Sequence, residues 1–175
     1  MTVFVAGIHG VGKTYICQQY SQNSGVTHES ASGLIRKERA LAEWSKDKRV
    51  TAIDDNQAAL KVAVQRIKSE GRPLLLDGHF VLINSNSEIT PINASVFKEL
   101  NLTGVILIEA SPEVITSRLS SRDTSKSAID IDLFLQAERA QAEFVCKTLE
   151  LPLEVLFQPD NETFARTASK FFGGQ

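Results

Sequence analysis

The stretch VFVAGIHGVGKT, residues Val3 to Thr14, predicts how the rest of the chain folds. Its four leading apolar residues predict a buried strand, and its glycines permit a sharp turn into a helix, where several backbone N–H groups point at one spot. Lys13 can reach the β- and γ-phosphates of a nucleotide there, and the Thr14 hydroxyl can coordinate the Mg²⁺ that accompanies them. A chance glycine-rich turn is the alternative, but the strand before it and the amphipathic segment after it favour a phosphate-binding P-loop. The expected ligands are therefore a nucleoside triphosphate and Mg²⁺, held by Gly7, Gly10, Val11, Gly12, Lys13, Thr14 and Tyr15.

Length and charge restrict the class of protein. The chain has 175 residues, which suits one domain spanning 1–175, and a net charge of -2. This charge argues against binding nucleic acid through bulk positive charge. No apolar run approaches the ~18 residues of a membrane span, and the N-terminus enters a strand rather than a signal peptide. We expect a cytoplasmic protein without a membrane or nucleic-acid partner, in which Cys17 and Cys146 are buried free thiols.

Strand and helix signals alternate along the chain. This alternation predicts an α/β fold, a P-loop NTPase three-layer sandwich with a central five-stranded parallel sheet and helices on both faces. Helix starts are expected at Asp54 and Asp55, at Ser111, near Asp130 and at Asp160. The predicted strands are Thr2 to Ala6, Val26 to Glu29, Leu74 to Asp77, Gly104 to Glu109 and Leu153 to Phe157.

The segment Leu74-Leu75-Leu76-Asp77-Gly78-His79 is the second strong feature. An apolar strand ending in Asp can deliver a carboxylate to the Mg²⁺ shell at the sheet edge where the phosphates sit. A turn-forming Asp-Gly pair is the alternative for Asp77, although the P-loop favours the metal role. His79 is either structural or close enough to the phosphates to position water or an acceptor.

Three arginines are candidate catalytic residues. Arg118 and Arg122 share one face of the helix that starts at Ser111, and the polar segment after them predicts a short lid at about 119–130. Such arginines can offset charge on a transferring phosphoryl group, whereas a solvated helix face is the alternative. Arg139 falls in the apolar stripe expected for the helix from Asp130 to Leu149. It either pairs with an acid such as Glu138 or with another side chain, or it reaches a phosphate.

Taken together, these segments resemble the adenylate kinase family of nucleoside monophosphate kinases. The resemblance rests on the P-loop, on Ser32-Gly33-Leu34-Ile35-Arg36, on Asp77-Gly78-His79 and on Arg118-x-x-x-Arg122. The Asp-x-His turn and the short lid are most similar to the archaeal-type and nuclear members. The resemblance implies an acceptor-binding insertion at about 28–70, with Gly33 and Arg36 at the acceptor, and it places a basic residue such as Arg139 near the phosphates. Tyr15 departs from the family, which usually has a small hydroxyl residue near the α-phosphate there.

The acceptor is the least constrained part of the prediction. Asn56 and Gln57 could recognise a base edge or merely cap a helix. We expect ATP-dependent phosphoryl transfer, most simply to AMP, carried out by positioning and electrostatics. The alternatives are a kinase of another small acceptor, such as a sugar, a shikimate-like acid or a nucleoside, and an ATPase that acts as a nucleotide-controlled binding module for a protein or RNA partner.

Overall fold

The five strands predicted from the sequence are all present, and they follow one another in the predicted order. A computed structural model describes residues 1–43, 52–84, 88–120 and 130–173. Its strands are β1 (Thr2–Ala6), β2 (Thr27–Ser30), β3 (Leu74–Asp77), β4 (Val81–Ile83), β5 (Ile89–Pro91), β6 (Gly104–Glu109) and β7 (Leu153–Phe157). Its helices are α1 (Lys13–Ser24), α2 (Ala31–Glu43), α3 (Ala52–Ser69), α4 (Ala94–Leu100), α5 (Pro112–Ser120), α6 (Ile131–Thr148) and α7 (Asn161–Phe171).

Five parallel strands form the central sheet in the order β2-β3-β1-β6-β7. β1 lies in the middle of the sheet and its residues are fully or almost fully buried, which explains why every residue after Thr2 in this strand is apolar. Because all five strands run the same way, their carboxyl ends meet at one edge, where the P-loop follows β1 and Asp77 ends β3. The five-stranded parallel sheet of a P-loop NTPase fold is therefore confirmed.

Helices cover both faces of this sheet. One core includes Phe4, Leu76, Leu107 and the inner faces of α3, α4 and α6. The other includes Val5, Ile106 and the inner faces of α1, α5 and α7. Because neighbouring residues of a strand point to opposite faces, alternate residues of β1 and β6 serve the two cores.

Several helix starts agree with the sequence, whereas one pair of strands and one helix were missed. The Asp130 and Asp160 side chains cap α6 and α7 by accepting the backbone N–H of Leu133 and Thr163. The predicted start of α3 at Asp54 is wrong by two residues, because α3 begins at Ala52. The antiparallel pair β4–β5 and the short helix α4 were not predicted, since each is too brief to show a period.

In the part of the chain that the structure describes, none of the helices combines the length and apolar character required to cross a bilayer. Cys17 and Cys146 are both buried free thiols, as expected.

Candidate nucleotide and acceptor site

The P-loop joins β1 to α1 and leaves the start of α1 open. Gly12 precedes the helix in a left-handed conformation with φ 103°, and no side chain caps the first turn. Gly7 has φ 143°, and a Cβ there would lie 2.4 Å from the Ile108 carbonyl oxygen, so the loop packs against β6 as only glycine allows. An uncapped helix N-terminus at the end of such a loop is an anion site, which fits the phosphates of a nucleotide.

Lys13 is folded onto its own loop. Its Nζ donates hydrogen bonds to the carbonyl oxygens of Gly7 at 2.5 Å and Ile8 at 3.3 Å. Burial lowers the pKa of Lys13 to about 8, and the negative charges of Asp77 and Glu138 oppose that change. The ammonium group is therefore held where a phosphate would be a better partner than the two carbonyls.

Arg118 contacts the outer side of the same loop. Its guanidinium donates to the carbonyl oxygens of Gly10 at 3.1 Å and Val11 at 2.8 Å. α5 thus brings this predicted arginine directly to the P-loop. Thr14 and Tyr15, the last residues expected to contact the nucleotide, are both exposed on the first turn of α1.

Asp77 is buried at the carboxyl end of β3 and forms a pair that the sequence did not predict. Its Oδ2 lies 2.7 Å from Nε2 of His28 on the neighbouring strand β2. The backbone N–H of Gly78 donates to the Val5 carbonyl, which ties this turn to β1. Asp77 is therefore fixed by a side-chain partner instead of acting only as a turn residue.

Two imidazoles lie between the P-loop and the turn after β3. The rings of His9 and His79 have centroids 4.3 Å apart. Burial, together with the positive charge of Lys13, lowers the pKa of His79 to about 2 and lowers that of His9. His79 is thus neutral at physiological pH and can exchange hydrogen bonds without adding charge to the site.

On α6 the buried polar residue is Glu138, and the placement of Arg139 in the apolar stripe is wrong. Glu138 is 1% exposed and accepts backbone N–H groups of Gly7, Phe80 and Val81. Arg139 is about half exposed and pairs through two hydrogen bonds with Glu109 at the end of β6. The buried residues of α6 are Phe134, Glu138, Ala142, Val145 and Cys146, and Arg139 lies about 100° around the helix from Glu138.

A cavity of about 630 Å³ opens beside the P-loop. Part of its wall is formed by polar groups of the loop and of the β3 turn: His9, Lys13, Thr14, Asp77 and His79. The rest of its lining is mostly apolar and includes Ile35, Leu60, Leu82, Ile92, Val96 and Phe97. Its size and mixed lining are typical of small-molecule sites.

The predicted acceptor residues do not all reach this cavity. Asn56 and Gln57 line it from α3, and Asn56 accepts a hydrogen bond from Arg39. Helix capping is wrong for this pair because both residues lie more than one turn inside α3. Arg36 is exposed, and neither it nor Gly33 is among the lining residues, although their neighbours Ser32 and Ile35 are.

Some expected residues cannot be placed. Arg122 and most of the predicted lid at 119–130 lie outside the described residues. Within the described ranges, no group of three or more His, Cys, Asp or Glu side chains could hold a metal ion. Thr14 and Asp77 both line the cavity beside Lys13, which suits a Mg²⁺ that arrives with a triphosphate and keeps water and phosphate ligands.

Sequence reasoning missed His28, His9 and Glu138. His28 lies two residues before the position of β2 that pairs with Asp77, so its role depends on strand register. Glu138 had one sequence signal, a lone acid at helical spacing from Phe134 and Ala142, which are both buried. That signal needs the helix register, which the apolar pattern gave one residue out.

The sheet order, the P-loop and the adjoining cavity define a P-loop kinase-like domain. The chain belongs to the AAA domain family, whose model matches residues 6–132, well over half of its length. This match covers the P-loop, the Asp77 turn and α5.

Solved structures of similar fold include two kinases. A sugar kinase from Janibacter sp. has a TM-score of 0.58 and 17% identity, over 98% of this chain and 94% of that chain. A gluconokinase from Sinorhizobium meliloti has a TM-score of 0.56 and 15% identity, over 98% of this chain and 91% of that chain. An uncharacterised protein from Eubacterium ventriosum matches with a TM-score of 0.51 and 10% identity, over 100% of this chain and 99% of that chain. No curated protein matches the sequence. At these identities the similarities show the fold and do not single out adenylate kinases.

Proposed function

We propose that the protein transfers the γ-phosphoryl group of ATP to a small molecule bound in the cavity, and that this acceptor is a nucleoside monophosphate, AMP first. One observation carries the proposal: a single cavity is lined both by Lys13 and Thr14 of the P-loop and by Asn56 and Gln57 of α3. Donor and acceptor groups can therefore meet in one cavity, which is what phosphoryl transfer needs.

At the donor end the chain supplies charge and orientation. An acceptor oxygen bonds to the γ-phosphorus while the bond from that phosphorus to the β–γ bridging oxygen breaks and ADP leaves. Lys13 leaves its two carbonyl partners for the phosphates, and Arg118 holds the loop that carries it. Mg²⁺ bound with the triphosphate would neutralise further charge, held by the Thr14 hydroxyl and the Asp77 carboxylate.

At the acceptor end the proposal rests on amide and apolar groups. Asn56 and Gln57 offer donors and acceptors to a base edge, and Ile35 and Leu60 offer apolar surface to its faces. Arg36 would bind the acceptor's phosphate as the family resemblance implies. Because Arg36 is exposed in the structure, this role requires its side chain to turn into the mouth of the cavity when the acceptor binds.

An acceptor without a phosphate is the second candidate, and one observation favours it. Among the described residues, Lys13 is the only lysine or arginine that lines the cavity. A hydroxyl compound such as a sugar or nucleoside needs no second cation, and the fixed Asp77 carboxylate could take its proton. ATP hydrolysis without any acceptor would instead indicate a nucleotide-controlled binding module for a protein or RNA partner.

Thermal stabilisation separates these candidates. We would compare ATP with a dinucleotide in which two adenosines are joined by five phosphates, at equal concentration. A ligand that fills both ends should raise the melting temperature well beyond ATP, because stabilisation follows RT ln(1 + [L]/Kd). No extra gain would contradict an adenylate acceptor, and a screen of hydroxyl compounds for ADP release would then test the second candidate.

Two variants test the division between donor and acceptor. Lys13→Ala should lower kcat by orders of magnitude, since it removes charge from the transferring group. Arg36→Ala should mainly raise KM for AMP, and Lys37→Ala is its control because Lys37 is an exposed neighbour paired with Glu29. Equal, small effects of Lys13→Ala and Arg36→Ala would contradict the proposal.

A further inference from the structure

Glu138 joins two segments that are far apart in sequence and adjacent at the site. Its Oε1 accepts the backbone N–H of Gly7, the first residue of the P-loop, at 3.0 Å. Its Oε2 accepts the N–H groups of Phe80 and Val81 at 2.9 Å each, and Oε1 also lies 3.0 Å from the Phe80 nitrogen. We call this set of contacts the Glu138 bridge.

Burying the Glu138 side chain costs free energy of desolvation that an apolar residue at this position would not lose. Glu138 is 1% exposed and projects from α6 among Phe134, Ala142 and Val145, which are all buried. A buried carboxylate loses its hydration, and only good hydrogen bonds make this tolerable. Three N–H donors from two segments supply those bonds, and without the carboxylate the same donors would be buried and unpaired.

The two bridged segments carry the groups that the reaction uses. The carbonyl of Gly7 accepts a hydrogen bond from Lys13, so Glu138 and Lys13 hold the two sides of one residue. Phe80 directly follows His79 and lies three residues after Asp77 in the turn. A change in the bridge therefore alters the separation between the donor loop and this turn.

We propose that Glu138 is a positioning residue that holds the P-loop at a fixed distance from the Asp77 turn, so that nucleotide affinity and transfer both depend on α6. The inference rests on the proposed phosphoryl transfer only for its kinetic part. Nucleotide affinity tests it independently of any acceptor.

Glu138→Gln is the main variant because it keeps the shape and removes one acceptor oxygen. Its amide NH₂ must face the N–H of either Gly7 or Val81, so one side of the bridge is lost. Glu138→Asp is the second variant, since it keeps the charge but is too short to reach both segments. Glu143→Gln is the control for charge on an exposed position of α6. Gly104→Ala is the control for lost stability, because Gly104 lies at the amino end of β6, whereas the P-loop and the Asp77 turn lie at the carboxyl ends of their strands.

Calorimetric titration of ADP into each folded variant decides the proposal. We expect Kd to rise about tenfold in Glu138→Gln and Glu138→Asp, because the P-loop would then occupy its binding position only about a tenth of the time. We also expect kcat to fall further, by about a hundredfold, because transfer is sensitive to displacements of about 1 Å. Both controls should bind ADP as the wild type does.

Two results would overturn the positioning role. One is a folded Glu138→Gln or Glu138→Asp protein whose Kd for ADP equals that of the wild type. The other is a Gly104→Ala protein that loses as much affinity at an equal drop in melting temperature, which would make Glu138 merely structural. If the wild type binds ADP but transfers no phosphoryl group, the proposed function fails while the affinity comparison still decides the role of Glu138.

Discussion

Raising the pH should weaken nucleotide binding through Lys13. Burial lowers the pKa of this ammonium from its ordinary 10.5 to about 8. Phosphate groups bind the charged form and so raise the pKa in the complex. The affinity is therefore constant below about pH 8, where free and bound Lys13 are both protonated, and it falls at higher pH because binding must then take up a proton.

The size of this loss of affinity follows from the difference between the pKa values of Lys13 in the free protein and in the complex. Each pH unit between the free and the bound pKa corresponds to about 1.4 kcal/mol, so Kd should rise up to tenfold per pH unit above about pH 8. If the phosphates restore the ordinary pKa of 10.5, the full loss is about 3 kcal/mol, or a few hundredfold in Kd. A smaller loss of affinity would mean that burial still holds the pKa of Lys13 below 10.5 in the complex.

Calorimetric titration of ADP at several pH values from about 7.5 to 9.5 measures this loss; the nucleotide's own phosphates, with a second pKa of about 6, stay ionised throughout. Lys13→Arg is the control, because a guanidinium remains charged over the whole range and its variant should show no pH dependence. His79 and His9 are already neutral and contribute nothing there. A Kd that does not change with pH in the wild type, or the same decline of affinity in Lys13→Arg, would contradict the role given to the Lys13 ammonium.

Three substitutions test contacts around the site. Arg118→Ala should lower turnover about tenfold to a hundredfold, because the P-loop loses two hydrogen bonds from its outer side; unchanged steady-state kcat would rule this out. Arg139→Ala should cost at most about 1 kcal/mol in urea unfolding and leave turnover intact, since its pair with Glu109 is partly exposed. A large loss of turnover would mean that Arg139 reaches the nucleotide after all. In Gly104→Ala the new Cβ would lie 2.2 Å from the Phe171 ring, so urea unfolding should show a loss of about 1–3 kcal/mol with turnover per folded molecule unchanged. Unaltered stability would show that the ring moves aside freely.

Much of the fold could be predicted because its signals are local. The unbroken apolar run of β1 and the glycines after it need no long-range contact to be recognised. The caps at Asp130 and Asp160 likewise depend on residues three positions away. The β4–β5 pair escaped prediction because strands of three residues become strands only by pairing.

The candidate site was harder to predict because its geometry depends on contacts between distant segments. The partner of Asp77 follows from the register of β2 against β3, and 49 residues separate it from His28. Glu138 and Arg139 differ by one step along α6, yet one is buried at the P-loop and the other pairs near the surface. An apolar stripe gives the orientation of a helix too coarsely to choose between adjacent residues.

Local signals in the sequence specify the phosphate-binding loop and the parallel sheet, because glycine positions, apolar runs and helix caps act over a few residues. The groups that meet Lys13 across the site depend instead on how distant segments pack. That packing brings Glu138 to Gly7 over 131 residues and places Asn56, but not Arg36, on the wall of the cavity. The physical reason is that hydrogen bonds and cavities need positions fixed to a fraction of an ångström, and only the packing of whole helices on the sheet fixes them.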